Sequence, residues 1–328
     1  MAVHAALKLV EQDNDGVDLA FRADVLRGFS ERQKAVPARW FYDKTGSELF
    51  EEITRLPEYY PTAVETRLLE THGREIARLI GPGRAVVEFG SGSSVKTPLL
   101  LREVASAAYV PLDISGEFLS QSCDELAAKF PDLPIVPVEA DFMRPVMLPD
   151  CVSHLDMLGF FPGSTIGNMV PSTAVDLLRS MRETLGDRSQ LLIGADRVKD
   201  VNRLIAAYDD AQGVTARFNL NLIDRINREL AADIPRSHLR HVARWNDDWR
   251  RIEMHLEALE DMAFTVSGRS FEMRAGETIH TENSHKYTPN QLRLLLQAAG
   301  WTPRHFWTDD AEDFLIVLAD ATEPRSAP

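Results

Sequence analysis

The chemistry on offer begins at Val86-Val87-Glu88-Phe89-Gly90-Ser91-Gly92-Ser93-Ser94, an apolar run that ends on an acidic residue and passes into small residues. Backbone that must turn there can approach a ligand closely, and such a loop cradles a nucleotide cofactor. Two more acidic run ends follow in order. Tyr109-Val110-Pro111-Leu112-Asp113 places a carboxylate that can accept both hydroxyls of a ribose, and Val138-Glu139-Ala140-Asp141-Phe142 suits an adenine edge and face. Taken singly, Asp113 with Ser115 equally suits a helix cap and Asp141 a turn, and these readings stay open. Beyond the next apolar run, Phe161-Pro162-Gly163-Ser164-Thr165-Ile166-Gly167-Asn168 presents Asn168, which carries both a donor and an acceptor.

Rival chemistries fit less well. A dinucleotide fingerprint wants Gly or Ala three places after Gly92, where Val95 stands, and an ATP-type loop wants Gly-Lys followed by Ser or Thr. Gly90-Ser91-Gly92 is not the Gly-x-Ser-x-Gly elbow of a serine hydrolase. Even with His238 near His241, no cluster of His, Asp and Glu has metal-site spacing, so no metal is expected.

These residues need elements to hold them. Apolar runs at Ala85 to Phe89, Ala108 to Leu112, Pro134 to Val138, Leu155 to Phe161 and Leu191 to Ala195 predict strands, with helices at Gly116 to Lys129 and Thr173 to Leu185. Alternation of this kind predicts parallel strands with right-handed crossovers and ligands at their carboxyl ends. Helical periodicity covers Val201 to Tyr208 and Thr215 to Leu230, with Tyr208 on an inward stripe. Arg251 to Leu259, Ala263 to Ser267 and Ser270 to Arg274 predict an antiparallel meander. A helix at Pro289 to Ala299 and strands at Arg304 to Trp307 and Phe314 to Leu318 return to the first sheet. The expected domains are therefore 61–197 plus 287–321 and an inserted 15–60 plus 198–286, with flexible tails at 1–14 and 322–328.

Composition narrows the setting. A chain of 328 residues, 44% hydrophobic and 26% charged, is that of a folded protein. Its 36 basic and 50 acidic side chains leave a net charge of −14, which repels polyphosphate and anionic lipid alike. Neither nucleic acid nor membrane is an expected partner. Cys123 and Cys151 are too few for a disulfide framework, and no secretory leader or spanning segment is visible, so a cytoplasmic protein, working as a monomer, is expected.

On these residues the chain resembles the histidine Nα-methyltransferases of ergothioneine biosynthesis, which convert L-histidine to its trimethylated betaine, hercynine. The likeness runs through Trp40-Phe41-Tyr42-Asp43-Lys44-Thr45-Gly46, Leu56-Pro57-Glu58-Tyr59-Tyr60-Pro61-Thr62, Gly90 to Thr97 and Gly163 to Asn168. It continues through Ala207-Tyr208-Asp209-Asp210, Arg225 to Leu230, Arg251 to Leu256 and Thr281-Glu282-Asn283-Ser284-His285-Lys286-Tyr287. The resemblance implies a Rossmann-like α/β fold of the class I SAM-dependent methyltransferases with a second, smaller α+β substrate-binding domain. It further implies that Tyr42, Gly90, Lys96, Asp113, Asp141 and Phe142 surround S-adenosyl-L-methionine. By the same comparison Tyr59, Gly163, Asn168, Tyr208, Glu282 and Ser284 surround the amino acid, with Asn168 and Tyr208 near its carboxylate and Glu282 with Ser284 at the imidazole. Tyr42, Tyr59 and Asn168 are the expected catalytic residues, orienting the amine.

Physical chemistry agrees with that substrate. Imidazole has two ring nitrogens for a carboxylate and a hydroxyl, whereas an indole has one N–H. The alternative within the class is another aromatic amino acid such as tryptophan. Outside it stand a cofactor-sensing protein without catalysis, opposed by the set Asn168, Tyr208 and Glu282, and a nicotinamide oxidoreductase, opposed by Val95.

Overall fold

The computed structural model describes residues 16–92, 96–114 and 116–322. Ser93, Ser94, Val95 and Ser115 lie outside the described residues, as do the expected tails apart from Thr322. The chain divides into two compact units, one of Ala63–Val198 with the chain from Tyr287 onward, the other of Lys199–Lys286 with the preceding segment that ends at Thr62.

Strand β1 (Lys34–Ala35) belongs to the second unit. The first unit then contributes β2 (Ala85–Phe89), β3 (Ala108–Asp113), β4 (Val138–Glu139), β5 (Met157–Phe161) and β6 (Gln190–Asp196). The second resumes with β7 (Leu239–Asn246), β8 (Arg251–Ala258), β9 (Met262–Val266), β10 (Arg269–Met273) and β11 (Thr278–His285). The chain closes in the first unit with β12 (Trp301–Thr308) and β13 (Phe314–Ala321).

The first unit is a seven-stranded sheet in the order β12-β13-β6-β5-β2-β3-β4. Strands β2 to β6 pair in parallel, and β13 runs antiparallel to both neighbours. Every residue of β2 and β5 is buried, as parallel strands covered on both faces require. Because β3 and β4 extend the sheet to one side of β2 while β5 and β6 extend it to the other, the direction of winding reverses between β2 and β5. The carboxyl ends of those two strands flank the crevice where such folds bind ligands, which is where Gly90 and Gly163 stand. This is the Rossmann-like class I methyltransferase architecture.

The run from Pro134 to Val138 is not one strand. Only Val138–Glu139 pairs regularly with β3, preceded by a single bridge between Tyr109 and Ile135. Pro134 and Pro137 lack the N–H groups that a continuous ladder needs, and the sheet edge tolerates them. Helix Pro289–Ala298 starts from a full capping box, with Thr288 and Gln291 bonded reciprocally and Pro289 in the first turn.

In the second unit the sheet order is β1-β11-β8-β7, with β1 parallel to β11 and the rest antiparallel. The expected meander is corrected here: β9 and β10 form a hairpin of their own, and β8 pairs with β7 and β11 instead. Ser267 and Gly268, both at positive φ (47° and 75°), make the tight turn that pairs β9 with β10. The helix from Val201 ends at Ala206, so Tyr208 sits in the turn beyond it and not on a helical stripe. Helix Leu19–Ser30 is N-capped by Asp18 and begins beyond the expected tail. Among the described residues no helix is long and apolar enough to cross a membrane.

Candidate active site

In the first unit the cofactor-type residues gather at the ends of β2, β3 and β4. Gly90 follows β2 at φ 74°, a left-handed conformation that L side chains adopt only at a cost, and a Cβ there would stand 3.4 Å from Cζ of Phe142. Gly92, also left-handed, donates its N–H to Asp113 Oδ2 at 3.2 Å, which ties the loop to the neighbouring strand. Phe142 meets Phe89 and Phe161 edge-on at centroid distances of 6.0 and 6.3 Å. Asp141 does what a turn residue does, accepting the Met143 N–H at 3.0 Å. Left-handed glycines, a carboxylate one strand away and an aromatic ring beside them suit a ribose and an adenine.

Two buried acids support this loop, Glu65, which sequence reasoning passed over, and Glu88, the acid that closes the apolar run. Glu65, on helix Tyr60–Ile80 and 1% exposed, pairs with the Lys96 ammonium and also accepts the Gly163 N–H at 2.9 Å. One carboxylate thus joins a residue expected at the cofactor to one expected at the substrate. Gly194 leaves it room, since a Cβ there would lie 2.0 Å from Glu65 Oε1. The signal was an acid within the apolar stripe of Val64, Leu68 and Leu69.

Glu88, 2% exposed in the middle of the sheet, accepts from Thr97 Oγ1 at 2.6 Å and Tyr109 OH at 2.5 Å, both onto Oε2. Burial pushes its pKa up to about 7, against the pull of those two hydroxyls and of Lys96.

The loop after β5 is braced from the other side. Ser164, buried and left-handed at φ 58°, accepts the Asp196 N–H at 2.9 Å, fastening the loop to the end of β6. A 3₁₀ turn at Thr165–Asn168 then presents Asn168, half-buried.

In the second unit the remaining candidates form a continuous path. Tyr42, 38% exposed, packs edge-on against Phe50 at 5.7 Å. Phe50 packs on Tyr59 at 6.2 Å, and Tyr59 on Tyr208 at 6.0 Å. Tyr42 is aimed by its neighbour: Asp43 caps helix Lys44–Ile53 through the Gly46 N–H at 2.7 Å and takes Asn221 Nδ2 at 2.8 Å. Gly46 is required, because a Cβ there would lie 1.8 Å from the Phe41 carbonyl oxygen.

At the far end of this path Tyr208 OH stands 2.7 Å from Ser284 Oγ, and the ammonium of Lys286 donates to both, at 3.0 and 2.7 Å. Ser284 and Lys286 are 3% and 2% exposed. The anchor expected at the carboxylate and one expected at the imidazole therefore meet in one buried triad. Lys286 was missed because a lysine beside a strand reads as solvated, whereas one this buried needs polar partners. Glu282, half-buried, lies two residues before Ser284 on β11.

Glu253, His255 and His280 also come together in this unit, with ligand-type atoms within 4.8 Å of one another. Cross-strand register places them so, and linear spacing did not reveal it. The two imidazoles stack at 4.6 Å and 17°. Glu253 Oε2 stands 3.2 Å from His255 Nε2, and His280 Nε2 stands 3.0 Å from the Glu282 carbonyl oxygen. Burial holds the His255 pKa down at about 4. Burial would raise Glu253, yet hydrogen bonds from Arg251, His255 and Asn246 outweigh it and hold that carboxyl at about 2.

Residues 21–321 match the family model of histidine-specific, SAM-dependent methyltransferases. The histidine N-alpha-methyltransferase of Mycolicibacterium smegmatis is 40% identical over 93% of this chain and 96% of that protein. That of Mycobacterium tuberculosis is 39% identical over the same shares. The ergothioneine biosynthesis protein 1 of Neurospora crassa is 29% identical over 87% of this chain and 33% of its own length. With its glycine loop at the winding reversal and residues 21–321 matched across both units, the chain belongs to the histidine-specific, SAM-dependent methyltransferase family.

Proposed function

We infer that this chain transfers methyl groups from S-adenosyl-L-methionine to the α-amine of L-histidine, three times in succession, giving hercynine for ergothioneine biosynthesis. The observation that carries the substrate is the pairing of Glu282 with buried Ser284 on one strand, a carboxylate and a hydroxyl for the two ring nitrogens of imidazole. The relatives named histidine N-alpha-methyltransferases support the same reading.

The sulfonium supplies an electrophilic methyl group, and the chain has to present a neutral amine in line with it. Positioning in a site that excludes water is the main requirement. We assign cofactor binding to Gly90, Lys96, Asp113, Asp141 and Phe142 with Tyr42, and the amino acid to Tyr59, Gly163, Asn168, Tyr208, Glu282 and Ser284. Tyr42, Tyr59 and Asn168 orient the amine, and their aromatic faces accommodate the positive charge that methylation leaves. Repeated transfer needs the amine to rotate while the ring stays anchored, which is the task of Glu282 and Ser284. No metal takes part, and the working partner is a small molecule in the cytoplasm, not nucleic acid or membrane.

The test is competition among equal amounts of histidine, tryptophan and tyrosine with the methyl donor, read by mass. Histidine gaining up to three methyl groups is expected. Tryptophan methylated first overturns the substrate, and activity lost to a chelator and restored by a divalent ion overturns the metal-free reading.

A further inference from the structure

Glu65, Lys96, Gly163 and Gly194 all belong to the first unit, and they build a slot around one ion pair. The buried Glu65 carboxylate pairs with the Lys96 ammonium and takes the Gly163 N–H as well, at 2.9 Å on Oε2 and 3.1 Å on Oε1. Two glycines shape the slot. A Cβ on Gly194 would lie 2.0 Å from Glu65 Oε1, and one on Gly163 would stand 3.7 Å from Lys96 Nζ, so the ammonium lies directly against the loop after β5. Lys96 is assigned to the cofactor and Gly163 to the amino acid in the reading above, on which this inference rests. The methyl group has to pass from one to the other, and an ammonium that reaches from the first of these residues to the second stands beside its path.

Methyl donation turns a sulfonium cation into a neutral thioether, the electron pair of the broken S–C bond staying on sulfur while the amine nitrogen takes the methyl group and the charge. Positive charge is therefore present beside this path before the step and after it. A lone ammonium repels both, and it favours the spent cofactor, which has lost its charge, over the fresh one. Successive transfers require that exchange each time, and a site that prefers the thioether slows it. We propose that Glu65 is a specificity-determining residue that cancels the Lys96 charge, so that the site admits the sulfonium form of the cofactor on equal terms with its neutral thioether product. Glu65 touches neither ligand in this account and acts through Lys96. Glu88 also feels the Lys96 charge, but its carboxyl is held protonated to about pH 7 and is no substitute below that value.

The test measures, by calorimetry at about pH 6, the dissociation constants of S-adenosyl-L-methionine and S-adenosyl-L-homocysteine, which differ only in the methyl group and its charge. Glu65→Gln keeps the shape and an acceptor for the Gly163 N–H. It should raise the ratio of the two constants, methionine form over homocysteine form, by about tenfold. Removing the cation as well, in Glu65→Gln with Lys96→Met, should return the ratio to the wild-type value even where both ligands bind more weakly. A purely structural pair weakens the two ligands together, so a ratio unmoved in Glu65→Gln, or still raised in the double variant, overturns the proposal. Lys96→Met alone serves if Glu65→Gln fails to fold: its ratio is expected at or below the wild-type value, and a rise overturns the proposal. If Lys96→Met binds both ligands as tightly as wild type, Lys96 is not at the cofactor, and the site reading fails and takes this inference with it. Weaker binding of both ligands by Lys96→Met, with an unmoved ratio in Glu65→Gln, strikes the Glu65 assignment alone.

Discussion

Glu88→Gln isolates the most perturbed acid of the first unit. Its carboxyl is held protonated to about pH 7 in the fold, against an ordinary value of 4.5 once the chain unfolds. A folded pKa raised above the unfolded one contributes stability that is fully present below the unfolded value and is lost as the pH rises through the folded value. At about 1.36 kcal/mol per unit, the contribution amounts to about 3 kcal/mol, of which about 2.5 disappears between roughly pH 5 and pH 8. Glutamine keeps the oxygen that Thr97 and Tyr109 bond and has no proton to lose. The variant should therefore match wild type at about pH 5 and exceed it at about pH 8 by roughly that 2.5 kcal/mol. His255 and His285, both held at about 4, act in the opposite sense, adding stability as the pH rises from 4 towards 6.5. They are present in both proteins and cancel in the difference. Urea titrations followed by hydrogen exchange at the Val86 and Val87 amides read the opening of β2 itself. Wild-type and variant curves that run parallel from pH 5 to pH 8 would refute the reasoning.

Other outcomes follow from the same geometry. Glu282→Ala should raise KM for histidine by a factor on the order of 10 to 1000, the loss of a charge-assisted hydrogen bond, and unchanged histidine kinetics would remove Glu282 from the ring site. Glu65→Ala strands the Lys96 ammonium, 13% exposed, and should cost about 3 to 5 kcal/mol in denaturant unfolding, with Glu65→Gln milder because it still serves the Gly163 N–H. Gly90→Ala forces an L residue to φ 74° and pushes a methyl against Phe142; calorimetry should show the methyl donor bound about tenfold more weakly. Thr288→Ala removes one half of a capping box and should lower unfolding free energy by about 1 kcal/mol without changing KM.

What could be read in advance was local. A glycine turn after an apolar run, and an acid closing the next run, depend on neighbours along the chain, so Gly90, Gly92 and Asp113 stood out and the structure joins them. The crossover helix Gly116–Lys129 was legible for the same reason. Lys286, Glu65 and the pair His255–His280 were not, because their meaning lies in partners brought by register from remote segments. The hairpin of β9 and β10 was misassigned to a larger meander because alternation reports which face is buried and is silent on which strand pairs with which. Tyr208 was placed on a helix since periodicity carries two residues past a true end as readily as it stops.

The position of β13 between β12 and β6 has a consequence for the order in which the protein can be made. A growing chain presents β6 long before Phe314–Ala321 exists, so that edge, apolar for most of its length, waits unpaired while the whole inserted unit is synthesised. The inserted unit waits as well, since β1 has no strand to lie against until β11 emerges. Neither sheet is complete before the last part of synthesis, and the long-lived β6 edge is where a ribosome-bound chain is most exposed to pairing with a neighbour. Expression at lower temperature or with a holdase chaperone should raise soluble yield more than any stabilising substitution on the finished surface.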